Sequence, residues 1–316
     1  MNIVATDGFA LNPGDLNWDS IETLGNLKIY DRTAPKEILS RCANADIVLT
    51  NKVPFSKEII NQLPNLKLIC VLATGYNIID IAAAKTRNIK VCNVPDYSSA
   101  SVAQHTFAFI LELTTQVGLH SSSVHKGDWV NCKDFSYSLT PLLEISGKTL
   151  GLVGFGNIGK QVAEIGRAFG MKVLYYSPNR KDTNIADYVT LKELFKLSDI
   201  VSLHCPLKPE NLSFVNIELL SLMKPTAFFV NTSRGQLVNE QDLAEALNND
   251  IIAGAGVDVL TIEPPNKENP LLNAKNCFIT PHNAWMSKEA RQRIMDTTHK
   301  NIEGFYNGRL VNVVNP

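Results

Sequence analysis

The chain lacks the marks of several protein classes. Lys and Arg total 30 against 31 Asp and Glu, a formal net charge of -1, so no basic excess points to nucleic acid and no charge block forms a tail. No apolar run approaches the roughly 18 residues a membrane helix needs. The opening Met1-Asn2-Ile3-Val4-Ala5-Thr6-Asp7 has neither the basic start nor the long apolar core of a secretion signal and reads as a first strand. Cysteine is sparse and scattered: Cys42, Cys70, Cys92, Cys132, Cys205 and Cys277 form no Cys-x-x-Cys pair. Most lie in or beside apolar runs, where a cysteine acts as a small buried hydrophobe. We therefore expect no disulfides, no metal site and a reducing, cytoplasmic setting.

What is present is an ordinary globular composition, 45% hydrophobic and 19% charged, over 316 residues, which favours two domains over one. Short β-rich runs (Ile3-Thr6, Leu27-Tyr30, Ile47-Thr50, Leu66-Leu72, Ile89-Asn93) alternate with helix formers, the pattern of a parallel sheet with helices on its faces. A long apolar-periodic helix is predicted from Val102 to about Gln116. His120 to Ser146 fits neither period and carries Trp129, Phe135 and Tyr137; long irregular segments are usually functional or reach toward a neighbour. Alternation resumes with strands near Leu150-Gly154, Lys172-Tyr176, Ile200-Leu203, Thr226-Asn231, Ile252-Val259 and Cys277-Thr280, and a last helix runs from about Ser287 to Phe305. That helix could return to the first domain. The expected class is α/β with two parallel-sheet domains, residues 1–98 with 284–316 and an inserted domain 99–283.

The inserted domain opens with Leu150-Gly151-Leu152-Val153 running into Gly154-Phe155-Gly156-Asn157-Ile158-Gly159 and a helix. Gly-x-Gly-x-x-Gly between strand and helix is a dinucleotide signature: Gly154 for the tight turn, Gly156 for approach of a pyrophosphate, Gly159 for helix-on-strand packing. The amides of Asn157, Ile158 and Gly159 begin that helix and face the phosphates. The next strand ends in Ser177-Pro178-Asn179-Arg180-Lys181, with no acid before Asp182. A carboxylate there would hold the 2′-hydroxyl of NAD; Ser177 with Arg180 suits a 2′-phosphate instead. The cofactor expectation is NAD(P), leaning to NADP(H), with Arg180 and Lys181 as mere solvated loop charges the competing view.

Three chemistry-bearing residues each follow an apolar run: Arg234 after Phe228-Phe229-Val230-Asn231, Glu263 after Val257-Asp258-Val259-Leu260, and His282 after Phe278-Ile279-Thr280-Pro281. Ligands of open α/β sheets sit beyond the carboxyl ends of the strands, so side chains there can converge. Reducing a 2-keto acid needs a cation to hold the carboxylate and a proton for the carbonyl oxygen. A guanidinium fork suits the first task and an imidazole the second. A carboxylate beside an imidazole favours its charged form and fixes its ring. Arg234 is thus the expected substrate anchor, His282 the acid-base and Glu263 its partner. His204 is expected to line the cofactor crevice and Asp258 to accept from a nicotinamide carboxamide, an ordinary loop aspartate being the alternative. His105, within the apolar helix, reads as core or interface.

Together these residues resemble the D-isomer-specific 2-hydroxyacid dehydrogenases. The resemblance runs end to end through Ala73-Thr74-Gly75-Tyr76-Asn77, the glycine turn, Leu203-His204-Cys205-Pro206-Leu207, Asn231-Thr232-Ser233-Arg234-Gly235, Val257-Asp258-Val259 and Pro281-His282. It implies a flavodoxin-like substrate domain around an inserted Rossmann domain. It also implies substrate contacts from Ala73, Thr74 and Gly75, through the N–H groups of the last two. Asn179, Pro206, Thr232, Ser233, Arg234 and His282 would border the cofactor. A homodimer is implied as well, embraced through the arm 120–146. Asp7-Gly8-Phe9 to Leu16 and His282-Asn283-Ala284-Trp285 are similar to the glycerate dehydrogenase (hydroxypyruvate reductase) group, with Trp285, Phe135 or Tyr137 as candidate pocket walls. Ile78 departs from the asparagine many members carry, and Ser177 from the aspartate of NAD users. The substrate expectation is hydroxypyruvate or glyoxylate; a lactate-type or bulkier keto acid is the alternative, and a nucleotide-sensing, corepressor-like binder is the reading from another class.

Overall fold

The computed structural model describes residues 1–316. Two compact units account for the chain: Met1–Ser98 with Met286–Pro316, and the continuous stretch Ser99–Trp285.

The first unit is a five-stranded parallel sheet of β1 (Asn2–Ala5), β2 (Asn26–Ile29), β3 (Ile47–Thr50), β4 (Leu68–Val71) and β5 (Lys90–Cys92) in the order β2-β1-β3-β4-β5. Every residue of β3 and β4 is buried, which is why they read as unbroken apolar runs rather than alternating ones. Their register sets Ile47 beside Leu68 and Leu49 beside Cys70. The order is that of flavodoxin-like sheets. The helix Lys288–Tyr306 belongs to this unit; Ser287 caps it by accepting from Ala290 N, and Ile294, Met295 and Ile302 are its buried face. Arg291 on the same helix grips both carboxylate oxygens of Asp15 at 2.6 and 2.7 Å and donates to the Leu11 carbonyl, tying the helix to the segment after β1.

The second unit carries β6 (Thr149–Val153), β7 (Lys172–Tyr176), β8 (Asp187–Tyr188), β9 (Ile200–Leu203), β10 (Phe228–Asn231), β11 (Gly254–Val257) and β12 (Cys277–Ile279). All pair in parallel, in the order β12-β11-β10-β9-β6-β7-β8. The reversal between β6 and β9 is the switch point of a doubly wound nucleotide fold. One core lies around Leu203, Phe229, Leu243 and Val257, the other around Phe107, Ile110, Leu150 and Tyr175. Burying each such side chain contributes about 1.5–3 kcal/mol. The helix Ser99–Thr115 supplies much of the second core, starting three residues before the predicted Val102.

Two segments differ from expectation. The start of the supposedly irregular stretch is helical, Val117–His125; it has no clean apolar face, and Gln116 before it sits at φ +44, which separates it from the preceding helix. The strand β8 is two residues long and exposed, too short for any periodicity to show.

Candidate active site

Because β10, β11 and β12 are neighbours in register, the segments after them emerge side by side. Asn231, the last residue of β10, fixes the first. Its side-chain amide donates to the Arg234 carbonyl at 2.9 Å, its oxygen accepts from Ser233 N at 3.0 Å, and Ser233 Oγ donates to the Leu203 carbonyl. This turn leaves Arg234 exposed, with Nη1 on the Ser233 carbonyl at 2.7 Å and its remaining donors outward. Gly235 presses against the turn after β11. A Cβ there would stand 2.0 Å from the Leu260 carbonyl carbon.

Glu263 and His282 meet at 2.5 Å, Oε2 to Nδ1. The other carboxylate oxygen of Glu263 accepts from Leu260 N at 3.0 Å, so the backbone aims the carboxylate and the carboxylate aims the ring. A carboxylate only accepts, so Nδ1 carries the hydrogen and Nε2 is the nitrogen left for chemistry. His282 is held with φ +52, a conformation uncommon for a histidine and characteristic of over-determined functional positions. Its N–H lies 2.8 Å from the Asp258 carbonyl oxygen.

At the nucleotide turn, Gly154 has φ +101, and a Cβ on it would lie 2.5 Å from the His204 carbonyl. A Cβ on Gly159 would meet the Gly154 carbonyl oxygen at 2.4 Å. Around Gly156, by contrast, there is open space where a pyrophosphate would approach. Asn157 starts a twelve-residue helix whose free amides face that space. The fit to a dinucleotide is therefore in the backbone. His204 closes β9 beside the turn; burial pushes its imidazole down to about 3, so it stays neutral, and it meets Ser202 Oγ at 3.0 Å.

Several expected contacts take another form. Ser177 is buried and donates its hydroxyl to the Asn179 carbonyl at 2.5 Å, so that hydrogen is not available to a 2′-phosphate, against the role expected of it. Asn179 and Arg180 are exposed, Arg180 lying over the Tyr188 ring. The hydroxyl of Thr232 meets Thr106 Oγ1 at 3.2 Å and that of Ser233 donates to the Leu203 carbonyl at 2.7 Å. Pro206 follows His204 into an irregular loop. Asp258 is 2% exposed, and its carboxylate is engaged by Thr280, Asn283 and Ala284. Trp285 is buried at 9% exposure, Phe135 is 92% exposed, and the Tyr137 hydroxyl meets Ser123 Oγ at 2.8 Å. In the first unit the carbonyls of Ala73 and Thr74 accept from Val94 N and the Asn93 side chain, pinning the 73–75 loop.

A dinucleotide turn, an aimed imidazole and an outward arginine on one parallel sheet belong to the class of nicotinamide-dependent oxidoreductases. Residues 107–284 match the model for the D-isomer specific 2-hydroxyacid dehydrogenase NAD binding domain. The chain is 46% identical over 322 residues to a hydroxypyruvate reductase of Blautia hydrogenotrophica, covering 100% of both chains. It is 40% identical to a glycerate dehydrogenase of Methylorubrum extorquens, covering 91% of each. Among solved structures, an acyclic imino acid reductase in complex with NADPH and D-Arg superposes with a TM-score of 0.85 at 34% identity, covering 99% of this chain and 100% of that one. The chain belongs to the D-isomer specific 2-hydroxyacid dehydrogenase family and is an NAD(P)-dependent oxidoreductase. No helix of the structure is long and apolar enough to cross a membrane.

Sequence reasoning passed over Ser101 and Thr280, and read His105 only as core or interface. Ser101 and His105 are four apart on one helix and bond to Ala284 and Thr280. Their spacing was the available signal, but nothing in the sequence said what that face met.

Proposed function

We propose that the chain interconverts hydroxypyruvate, or glyoxylate, and the corresponding 2-hydroxy acid, D-glycerate in the first case. The observation that carries this reading is the His282–Glu263 pair at 2.5 Å, with an exposed Arg234 in the turn after the neighbouring strand β10, on a chain similar over its full length to a hydroxypyruvate reductase. Bound reduced nicotinamide supplies the hydride that the keto carbon accepts. His282 Nε2 gives the carbonyl oxygen its proton, and in the reverse direction takes the hydroxyl proton back. Glu263 keeps Nδ1 protonated and stabilises the imidazolium state that precedes donation. Arg234 holds the carboxylate and polarises the carbonyl through its planar fork. The N–H groups of Thr74 and Gly75 serve the same carboxylate, in keeping with a loop whose carbonyls are tied to Asn93 and Val94.

Arg180 or Lys181 would neutralise a 2′-phosphate, and no carboxylate stands between Tyr176 and Asp182, which favours NADP(H). Ser177 contributes only its place in the turn. Asp258 could meet a carboxamide only through Oδ2, the oxygen that accepts a single amide. The protein works as a homodimer embraced through the arm 120–146, where Trp129, Val130, Phe135, Leu139 and Leu142 stand exposed as candidate apolar contacts.

The test is loss of reduced-nicotinamide absorbance with hydroxypyruvate, glyoxylate and pyruvate, each with NADH and NADPH. Turnover fastest with hydroxypyruvate or glyoxylate supports the reading. A clear preference for pyruvate moves the assignment to a lactate-type enzyme, and nucleotide binding without turnover on any keto acid overturns it. A tenfold advantage for NADH would remove the role given to Arg180.

A further inference from the structure

Asp258 holds three consecutive N–H groups. Its carbonyl oxygen accepts from His282 at 2.8 Å, Oδ1 from Asn283 at 2.9 Å and Oδ2 from Ala284 at 3.0 Å. His282, whose backbone lies in the left-handed region, is the first residue of this clamp. Oδ1 also accepts the Thr280 hydroxyl at 2.5 Å. A hydroxyl has one hydrogen and a carboxylate has none, so the hydrogen of Thr280 is spent on Asp258. The remaining neighbour of Thr280 Oγ1 is His105 Nε2 at 3.0 Å, which must therefore donate. This fixes the hydrogen on Nε2 of His105 whether the ring is neutral or charged.

His105 stands on the Ser99–Thr115 helix, its ring edge-on to Phe109 at 4.9 Å between centroids. One turn earlier, Ser101 donates its hydroxyl to the Ala284 carbonyl at 2.6 Å. Residues four apart share a helix face. The helix thus grips Thr280 through His105 and Ala284 through Ser101, and His282 lies midway between the two gripped residues.

We propose that His105 and Ser101 are positioning residues for His282, acting through Thr280–Asp258 and through Ala284 respectively. The helix sets the height and tilt of the 280–284 turn against the sheet, and Asp258 transmits that setting to the three amides. His105 carries no proton in the reaction; its task is to donate one fixed hydrogen bond. This deepens the proposed function and rests on His282 as the acid-base.

The test uses the full-length enzyme and four variants: Thr280→Val, which removes the hydroxyl at constant shape; His105→Leu; His105→Gln, whose amide N–H can replace Nε2–H; and His282→Ala as a control. A misplacement approaching 1 Å costs up to about a hundredfold in rate, so Thr280→Val and His105→Leu are expected to lower kcat by about tenfold to a hundredfold while KM for the keto acid stays within about twofold. His105→Gln is expected to recover most of the loss. In the nucleotide-free protein, amide exchange at 282–284 should quicken by about tenfold in Thr280→Val and His105→Leu, with the amides of β12 unchanged. If Thr280→Val keeps its kcat, if His105→Gln is as slow as His105→Leu, or if the loss falls on KM, the proposal is overturned. Should His105→Leu fail to fold, Thr280→Val decides alone. If His282→Ala itself retains full kcat, the acid-base reading falls first, which separates the two failures.

Discussion

Gly235→Ala puts the arrangement of the site under direct strain. The glycine lies next to Arg234, and the backbone it faces, Leu260 to Thr261, lies next to Glu263. The added Cβ would stand 2.0 Å from the Leu260 carbonyl carbon, 2.3 Å from its oxygen and 2.4 Å from Thr261 N. Carbon contacts settle near 3.5 Å, so the two segments must part by more than about 1 Å. No flexible side chain is available to yield, because all three contacts are backbone. Arg234 would move away from the loop that aims Glu263, and with it from the imidazole that Glu263 holds at 2.5 Å. A displacement of this size costs about a hundredfold in rate, or about 2.7 kcal/mol of transition-state stabilisation. Overpacking adds about 1–3 kcal/mol of destabilisation. The measurement is kcat/KM for hydroxypyruvate together with the thermal midpoint, on enzyme shown to be folded. A folded Gly235→Ala enzyme with kcat/KM within about threefold of the parent would refute the claim that Arg234 and Glu263 must be held in fixed relation.

Gly156 gives the contrasting case: its Cβ would meet nothing, so Gly156→Ala should keep the thermal midpoint while raising KM for the nucleotide about tenfold or more, and a change in stability instead would show that the space is structural. Glu263→Gln leaves the ring a hydrogen-bond partner without the charge, and kcat should fall about tenfold to a hundredfold with KM little moved; steady-state kinetics read this directly. The carboxyl of Asp15 is held below its ordinary value by the Arg291 guanidinium, so it stabilises the fold above the unfolded carboxylate value and that contribution is lost as pH falls through the lower folded value. Urea melts between neutral and acid pH should show the loss, and Asp15→Asn should flatten it while lowering stability at neutral pH. The neutral, buried His204 works in the same direction over another window: its folded value of about 3 lies below the ordinary 6.5, so its contribution is whole above 6.5 and declines as pH falls toward 3. His204→Gln should weaken the pH dependence in that interval.

The two parallel sheets were legible because strands buried on both faces leave unbroken apolar runs, and the segments that close such runs point to the ligand side of the sheet. Arg234, Glu263 and His282 were found in that way, and the structure bonds the last two directly. What stayed hidden depends on direction rather than type. Nothing in Ser177-Pro178-Asn179 says that the serine hydroxyl folds back on the Asn179 carbonyl instead of facing a phosphate. Asp258 reads as a strand-end acid in the sequence, and only the paired turn reveals that its carboxylate serves Asn283 and Ala284. The helix Val117–His125 was missed because its apolar residues Val117, Leu119 and Val124 are exposed and trace no buried stripe. His105 passed for core or interface because its partner Thr280 is 175 residues away in sequence.

The left-handed backbone of His282 also bears on how this chain can change. Asparagine and glycine adopt φ near +52 more readily than histidine, so at this position the fold alone would favour them. A library screened only for heat resistance should therefore enrich His282→Asn or His282→Gly, and its hardiest members would be enzymes that have lost the imidazole paired with Glu263. Protein engineers raising the melting temperature would need to hold residue 282 fixed and look for their gains elsewhere.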